Sequence, residues 1–98
     1  MGKYLFLWEV DRTRLPVSSQ ERGAGFNMLM EIVKQDIKKG IIKDWGVFVG
    51  ERYGYMVAEG TEVEIMNATQ QYSPFVHFKA HPIGSVSQVE EMIKAMTK

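Results

Sequence analysis

The spacing of hydrophobic and polar positions along this chain changes between two periods, one typical of strands and one typical of helices. Residues 3–10 (KYLFLWEV) form a short aromatic and branched stretch that predicts a first strand. Residues 41–49 and 53–59 flank a tight turn and predict a hairpin. Residues 75–80 predict one more strand, so the pattern indicates four short strands in all.

Three segments with helical periodicity lie among and after these strands. Each segment is preceded by a Ser or Thr, and a Glu or Gln stands three residues after that Ser or Thr. This spacing is typical of a capping box at the start of a helix. The pairs are Ser18 with Glu21, Thr61 with Glu64, and Ser85 with Gln88. Gly23 and Gly25 each weaken the first helix by about 1 kcal/mol, which favours a start nearer Gly25. Gly40 and Pro74 are the predicted stop signals of the first and second helices.

The order of these elements is strand, helix, strand, strand, helix, strand and a final helix. This order predicts a ferredoxin-like βαββαβ arrangement, an α+β domain with a four-stranded antiparallel sheet, to which the third helix is appended. At 98 residues the chain has the size of a single domain, which we expect to span residues 1–98. A domain this small leaves much of its surface exposed, so association with a second copy would stabilise it.

Strand side chains alternate between the two faces of a sheet. In the first strand we expect the aliphatic residues Leu5 and Leu7 beneath the helices, and in the hairpin we expect Met56 and Ala58 to point inward as well. The aromatic set of the first strand should then lie on the face that helices leave bare, beside Tyr55. That set is Tyr4, Phe6, Trp8 and Val10. The alternative is that these rings are ordinary core, because a register shift of one residue exchanges the faces.

An uncovered aromatic face usually marks an interaction site. Three covers are compatible with the sequence: a second copy of the chain, a nucleic acid, or the C-terminal helix. Lys and Arg number 12, as do Asp and Glu, and this zero net charge disfavours a nucleic acid. The chain has no cysteine, which excludes disulfides, zinc–thiolate sites and cysteine nucleophiles.

The aromatic first strand, the long first helix, the hairpin WGVFVGERYGYMVAEG and the strand PFVHFKAHPI together resemble the dimeric α+β barrel superfamily. Its members are small ferredoxin-like domains whose open sheet faces meet to form a barrel. They include muconolactone isomerase-like proteins and cofactor-independent monooxygenases. The resemblance covers nearly the whole chain and implies a homodimer, but it transfers no catalytic residue, because these enzymes place different acids and bases in the same cavity.

RNA-recognition modules offer a rival resemblance, since they share this order of elements and carry aromatic signatures on two strands. Residues 5–7 (LFL) are similar to the first signature, and residues 53–56 (YGYM) are similar to the second. Glu51 and Arg52 depart from it, because they stand where the second signature has a basic residue and a glycine. Together with the zero net charge, these departures make RNA binding the weaker hypothesis.

His77 is the candidate acid–base residue, because an imidazole titrates near neutral pH. Glu59, which shares the outward set of Tyr55, is the candidate base or the carboxylate that orients His77. The alternatives are a polar contact at a subunit interface for His77 and a solvated acid for Glu59. His77 and His81 are separated by four strand residues, about 13 Å, which is too far to share one metal ion. We expect no metal site and no cofactor.

These patterns predict a homodimer that binds a small apolar or aromatic molecule in a cavity between two sheets, with isomerase or cofactor-free oxygenase-type acid–base chemistry. The expected ligand-binding residues are Tyr4, Phe6, Trp8 and Tyr55; the expected catalytic residues are His77 and Glu59. A non-catalytic structural or regulatory assembly, and single-stranded RNA binding on the aromatic face, are the alternatives. The apolar run at 4–8 is too short for a signal peptide or a membrane span, so a cytoplasmic protein is expected.

Overall fold

The structure of the protein is a computed structural model that describes residues 2–98. Its elements are β1 (Gly2–Val10), a 3₁₀ turn (Arg12–Arg14), α1 (Ser19–Lys38), β2 (Ile42–Val47), β3 (Tyr53–Gly60), α2 (Glu62–Gln70), β4 (Val76–Ile83) and α3 (Val86–Met96). The strands form one four-stranded sheet in the order β2-β3-β1-β4, and every neighbouring pair is antiparallel. The predicted α+β class, with a four-stranded antiparallel sheet and three helices, is confirmed.

The helix boundaries follow from their capping residues. The Ser18 side chain accepts a hydrogen bond from the backbone N–H of Glu21, and α1 begins at Ser19, so the expected start nearer Gly25 is wrong. An N-cap of this kind stabilises a helix by about 1 kcal/mol, which offsets one of the two helical glycines. Gly40 ends α1 with a φ of +82°, a conformation in which glycine bears no steric penalty. Thr61 and Ser85 open α2 and α3 with complete capping boxes.

The aromatic set of β1 lies beneath the helices, so the expected exposure of Tyr4, Phe6 and Trp8 on the helix-free face is wrong. Phe6 is 3% exposed and Trp8 is 7% exposed, and both pack with Val33 of α1 in the main core. The physical reason at Trp8 is the size of the opposing β3 residue. Gly54 pairs with Trp8 and leaves its indole ring room that a side chain would fill. The large indole of β1 is therefore accommodated by a glycine on β3, whereas Phe6 pairs with Met56.

The opposite face of the sheet, called the open face here, carries no helix. Side chains of β1, β3 and β4 form cross-strand rows on it: Tyr53, Glu9 and His77; Tyr55, Leu7 and Lys79; Val57, Leu5 and His81; Glu59, Lys3 and Ile83. A register shift between Ile42 and Asp44 in β2 turns Trp45 to the helix side. Phe48, just after β2, stacks on Tyr55 at 6.4 Å and extends the open face.

The C-terminal helix α3 stands apart from the rest of the molecule. Every residue from Val86 to Met96 is exposed, and none of the extensive contacts between elements of residues 2–98 involves α3. The Cα radius of gyration is 16.3 Å, whereas a compact domain of this length has about 13 Å. The molecule measures 61 × 25 × 20 Å, so it is an elongated body rather than a sphere.

Candidate functional site

A cavity of about 330 Å³ lies between α1 and the sheet, and it is called the α1 cavity here. The sheet forms one side of the cavity, and the turns of α1 that follow Gly25 form the other side. Its apolar lining consists of Trp8, Val10, Phe26, Leu29, Met30, Val33, Trp45, Val47, Met56, Tyr72, Val76 and Phe78. The charged residues Glu51 and Arg52 complete the lining from the turn between β2 and β3. The cavity therefore combines a broad apolar wall with a small charged segment.

Two indole rings form a fixed part of the cavity wall. Trp8 and Trp45 stack with their ring centroids 5.4 Å apart and an interplanar angle of 12°. Trp8 Nε1 donates a hydrogen bond of 3.0 Å to the carbonyl oxygen of Tyr55, which satisfies the only polar atom of its ring. The Trp8 ring also lies against the backbone of Gly54. A flat aromatic surface of this kind can stack on a planar or apolar guest.

Arg52 places a cation beside the cavity. Its guanidinium donates to a Glu9 carboxylate oxygen and to the Val10 carbonyl, and it lies 4.8 Å from the centre of the Tyr53 ring. The hydrogen bond from Arg52 holds the pKa of Glu9 below its usual value. Glu9 and Tyr53 belong to the open face, whereas Arg52 also lines the α1 cavity. Arg52 is consequently shared by the two sides of the sheet.

Asp36 is a buried carboxylate behind the cavity, and sequence reasoning missed it. It is 1% exposed, and its Oδ2 accepts hydrogen bonds from Gln71 Nε2 at 3.1 Å and from the Tyr72 hydroxyl at 3.3 Å. Its Oδ1 has no partner within residues 2–98. Burial, together with the nearby Asp36, raises the pKa of Tyr72, so the phenol keeps its proton and remains a donor. The same Tyr72 ring lines the α1 cavity, which links this polar contact to the cavity wall.

The two predicted catalytic residues are not brought together. His77 lies beside Glu9, and Glu59 lies beside Lys3, so about six residues of β1, or about 20 Å, separate them along the open face. His77 contacts Asp11 instead, with Nε2 at 3.1 Å from Oδ2. Hydrogen bonds from Thr13, and then the contact with His77, lower the pKa of Asp11 from 3.8 to about 2. Glu59 is therefore not placed to orient His77.

The four predicted ligand-binding residues are divided between two faces. Trp8 lines the α1 cavity, while Tyr4 and Phe6 lie along a wider depression between α2 and β4. Tyr55 is on the open face, where its hydroxyl donates a 3.0 Å hydrogen bond to Asp44. That hydrogen bond raises the pKa of Tyr55. The predicted pocket that joins all four residues between two sheets is therefore wrong in its geometry, and a binding role for each residue stays a prediction.

No group of three or more His, Asp or Glu side chains within residues 2–98 is arranged to hold a metal ion. None of the described helices combines the length and apolar character that crossing a membrane requires.

No protein-family model matches this chain, and no curated protein matches it either.

Proposed function

We propose that this protein binds a small apolar or aromatic molecule in the α1 cavity. The observation that carries the proposal is a cavity of about 330 Å³ whose wall is apolar except for Glu51 and Arg52. Sites for small molecules usually have volumes of about 300–1,000 Å³, apolar linings and few polar groups. The stacked pair of Trp8 and Trp45 supplies a rigid surface for a planar guest.

Filling the α1 cavity with an apolar guest would be favourable, because the cavity wall is apolar and each Å² of apolar surface removed from water contributes about 25 cal/mol.

The proposal concerns binding and not a reaction. The titratable groups in the wall are Glu51, Arg52 and Tyr72, and burial keeps the Tyr72 phenol protonated. The His77–Asp11 contact lies at the open face and is absent from the lining of the α1 cavity. No acid–base pair within residues 2–98 therefore faces the apolar part of this cavity.

The element order and the strand order β2-β3-β1-β4 support a finer assignment to the ferredoxin-like arrangement. We propose in addition that two copies associate through their open faces, as in the dimeric α+β barrels that the sequence resembles. Aliphatic and aromatic residues in the middle of that face support association. Leu7 is 41% exposed and Phe48 is 42% exposed, and neither is covered by a helix.

Calorimetric titration with naphthalenemethanol and with naphthoate tests the binding proposal, because the two probes share the naphthalene ring and one is neutral while the other carries a carboxylate. Met30→Trp places an indole in the α1 cavity, and it should weaken both probes by at least about tenfold. Met28→Trp is the matched control, because Met28 is on the same helix, is 71% exposed and does not line this cavity. Equal affinity of the probes for Met30→Trp and the unaltered protein, or no binding of either probe at about 1 mM, would contradict the proposal.

A further inference from the structure

A second cavity, of about 230 Å³, lies between α1, the loop that follows the 3₁₀ turn and the segment before β4; it is called the loop cavity here. The lining from α1 includes Arg22, Gly25, Phe26, Leu29 and Ile32. Residues with this spacing of three and four positions lie on one side of a helix. The loop and the segment before β4 supply further apolar lining. The loop cavity is therefore an apolar space with polar groups at a few positions.

Gly25 keeps one part of this wall free of a side chain. A glycine inside a helix costs about 1 kcal/mol relative to alanine. A Cβ atom at Gly25 would meet no atom within 4 Å, and the residue lines the loop cavity. Gly23 has equally open surroundings but does not line the cavity. A larger side chain at position 25 would occupy space beside the cavity, whereas one at position 23 would not.

Two guanidinium groups, those of Arg14 and Arg22, contribute to the lining. Neither arginine forms an ion pair with any residue in the range 2–98, whereas Arg52 is paired with Glu9. Arg22 is partly buried, and charged side chains that lose water are usually paired. Asp11 is the acidic residue of the lining, so the two arginines leave an excess of positive charge at the loop cavity.

The Arg22 guanidinium is held in place but keeps free donors. Its Nη1 donates to the carbonyl oxygens of Pro16 and Val17. Both bonds use the same nitrogen, so the N–H groups on Nη2 and Nε are left for another acceptor. Asp11 is not that acceptor, because its two carboxylate oxygens are engaged by Thr13 and His77. An oxyanion brought by a ligand fits the planar fork of donors that an arginine presents.

We propose that the loop cavity is a second binding site, which takes a small carboxylic acid with a single ring or a short apolar chain. The apolar part occupies the cavity, and the carboxylate is received by Arg22 and Arg14. The volume of about 230 Å³ is below the usual range of about 300–1,000 Å³ for drug-sized ligands, which favours a guest of one ring. A monoanion balances the single positive charge that Asp11 leaves on the two arginines. This site does not depend on binding in the α1 cavity.

A titration of the full chain with benzoate, followed by ¹H–¹⁵N NMR, tests the site. The amide signals of Gly25 and Phe75 should shift and saturate, because both residues line the loop cavity. Benzyl alcohol has the same ring without the carboxylate and should bind at least about tenfold more weakly. Equal affinity for the two probes would overturn the role of the arginines. Tighter binding of phenyl phosphate than of benzoate would overturn the choice of a carboxylate.

Two pairs of variants locate the site. Gly25→Leu should weaken benzoate by at least about tenfold, whereas Gly23→Leu should leave its affinity unchanged. Both changes replace a helical glycine by a better helix former, so the fold is retained. Arg14→Gln should weaken benzoate by about tenfold. Arg12→Gln is its matched control, because Arg12 belongs to the same 3₁₀ turn and does not line the loop cavity.

Met30→Trp separates the loop cavity from the α1 cavity. Val10, Phe26 and Leu29 line both cavities, but Met30 lines only the α1 cavity. Benzoate should therefore bind Met30→Trp as tightly as it binds the unaltered protein. Loss of benzoate binding in Met30→Trp would place the acid in the α1 cavity and overturn the second site. The absence of saturable shifts at about 10 mM benzoate, or equal effects of a variant and its matched control, would overturn it as well.

Discussion

Gly54→Ala is the sharpest test of the packing beneath the helices. A Cβ atom at this position would lie 2.2 Å from Trp8 Cζ2 and 2.2 Å from the Gly46 carbonyl oxygen. Ordinary carbon contacts are about 3.5–4.0 Å, so each contact is short by more than about 1 Å. The indole cannot easily withdraw, because it stacks on Trp45 and donates to the Tyr55 carbonyl. Overpacking costs about 1–3 kcal/mol and the lost hydrogen bond about 1 kcal/mol, which together give about 3 kcal/mol.

Thermal unfolding followed by near-ultraviolet circular dichroism measures this effect, because the signal reports the stacked indoles. A loss of about 3 kcal/mol corresponds to a fall in Tm of roughly 12–24 °C for a domain of this size. Gly25→Ala is the matched control. No atom lies within 4 Å of its Cβ position in α1, so it should raise stability by about 0.5–1 kcal/mol. An unchanged Tm and an unchanged indole signal in Gly54→Ala would refute the helix-side placement of Trp8.

Two further predictions concern the polar contacts. Tyr72→Phe removes the hydroxyl that donates to the buried Asp36 carboxylate and leaves Gln71 as its donor. The free energy of unfolding measured by urea titration should therefore fall by about 1–3 kcal/mol. An unchanged urea midpoint would contradict this expectation. The pKa of Asp11 is lowered from 3.8 to about 2, so its stabilising effect is complete above about pH 4 and is lost as the pH falls through about 2. Asp11→Asn should therefore reduce the loss of stability between pH 4 and pH 2, and equal losses in the two proteins would argue against a stabilising role for the contacts of Asp11 with Thr13 and His77.

Local signals predicted the elements of the fold well. The capping-box spacing of Thr61 with Glu64 predicted the start of α2, and that of Ser85 with Gln88 predicted the start of α3. Gly40 predicted the end of α1. These features depend on residues within one turn of each other, so the sequence contains all the information that they require. β4 extends to Ile83, beyond the expected end at Ala80, because it pairs with β1 as far as Lys3. That pairing is a long-range property.

The candidate site was less predictable, because it depends on contacts between distant segments. Asp36 becomes a buried acceptor only when α1 and the end of α2 come together, and no local spacing links it to Tyr72. Asp11 directly follows β1, and it contacts His77, 66 positions away in the sequence. The α1 cavity likewise has walls from α1, from the hairpin and from β1 and β4. Chain topology alone gives none of these distances.

The burial of Phe6 also bears on the RNA-binding hypothesis. Single-stranded RNA is bound by stacking bases on aromatic rings that the sheet exposes to solvent. Phe6 belongs to the first of the two signatures, and at 3% exposed it packs against Phe78 and the core. Tyr55 remains on the open face, where Phe48 already stacks on it. The arrangement therefore lacks one of the two stacking surfaces that this mode of binding requires.

One pair of residues explains why the faces were assigned incorrectly. Met56 was correctly expected to point inward, and the structure pairs Phe6 directly with Met56, so both must share the helix side. A shift of one residue would have paired Met56 with Leu5 or Leu7 and produced the expected arrangement. A tight turn fixes the register between β2 and β3, but β1 and β3 are joined through a 20-residue helix, which leaves their register free. The volume at Gly54 favours the observed register, since a Cβ atom there would lie 2.2 Å from the Trp8 ring.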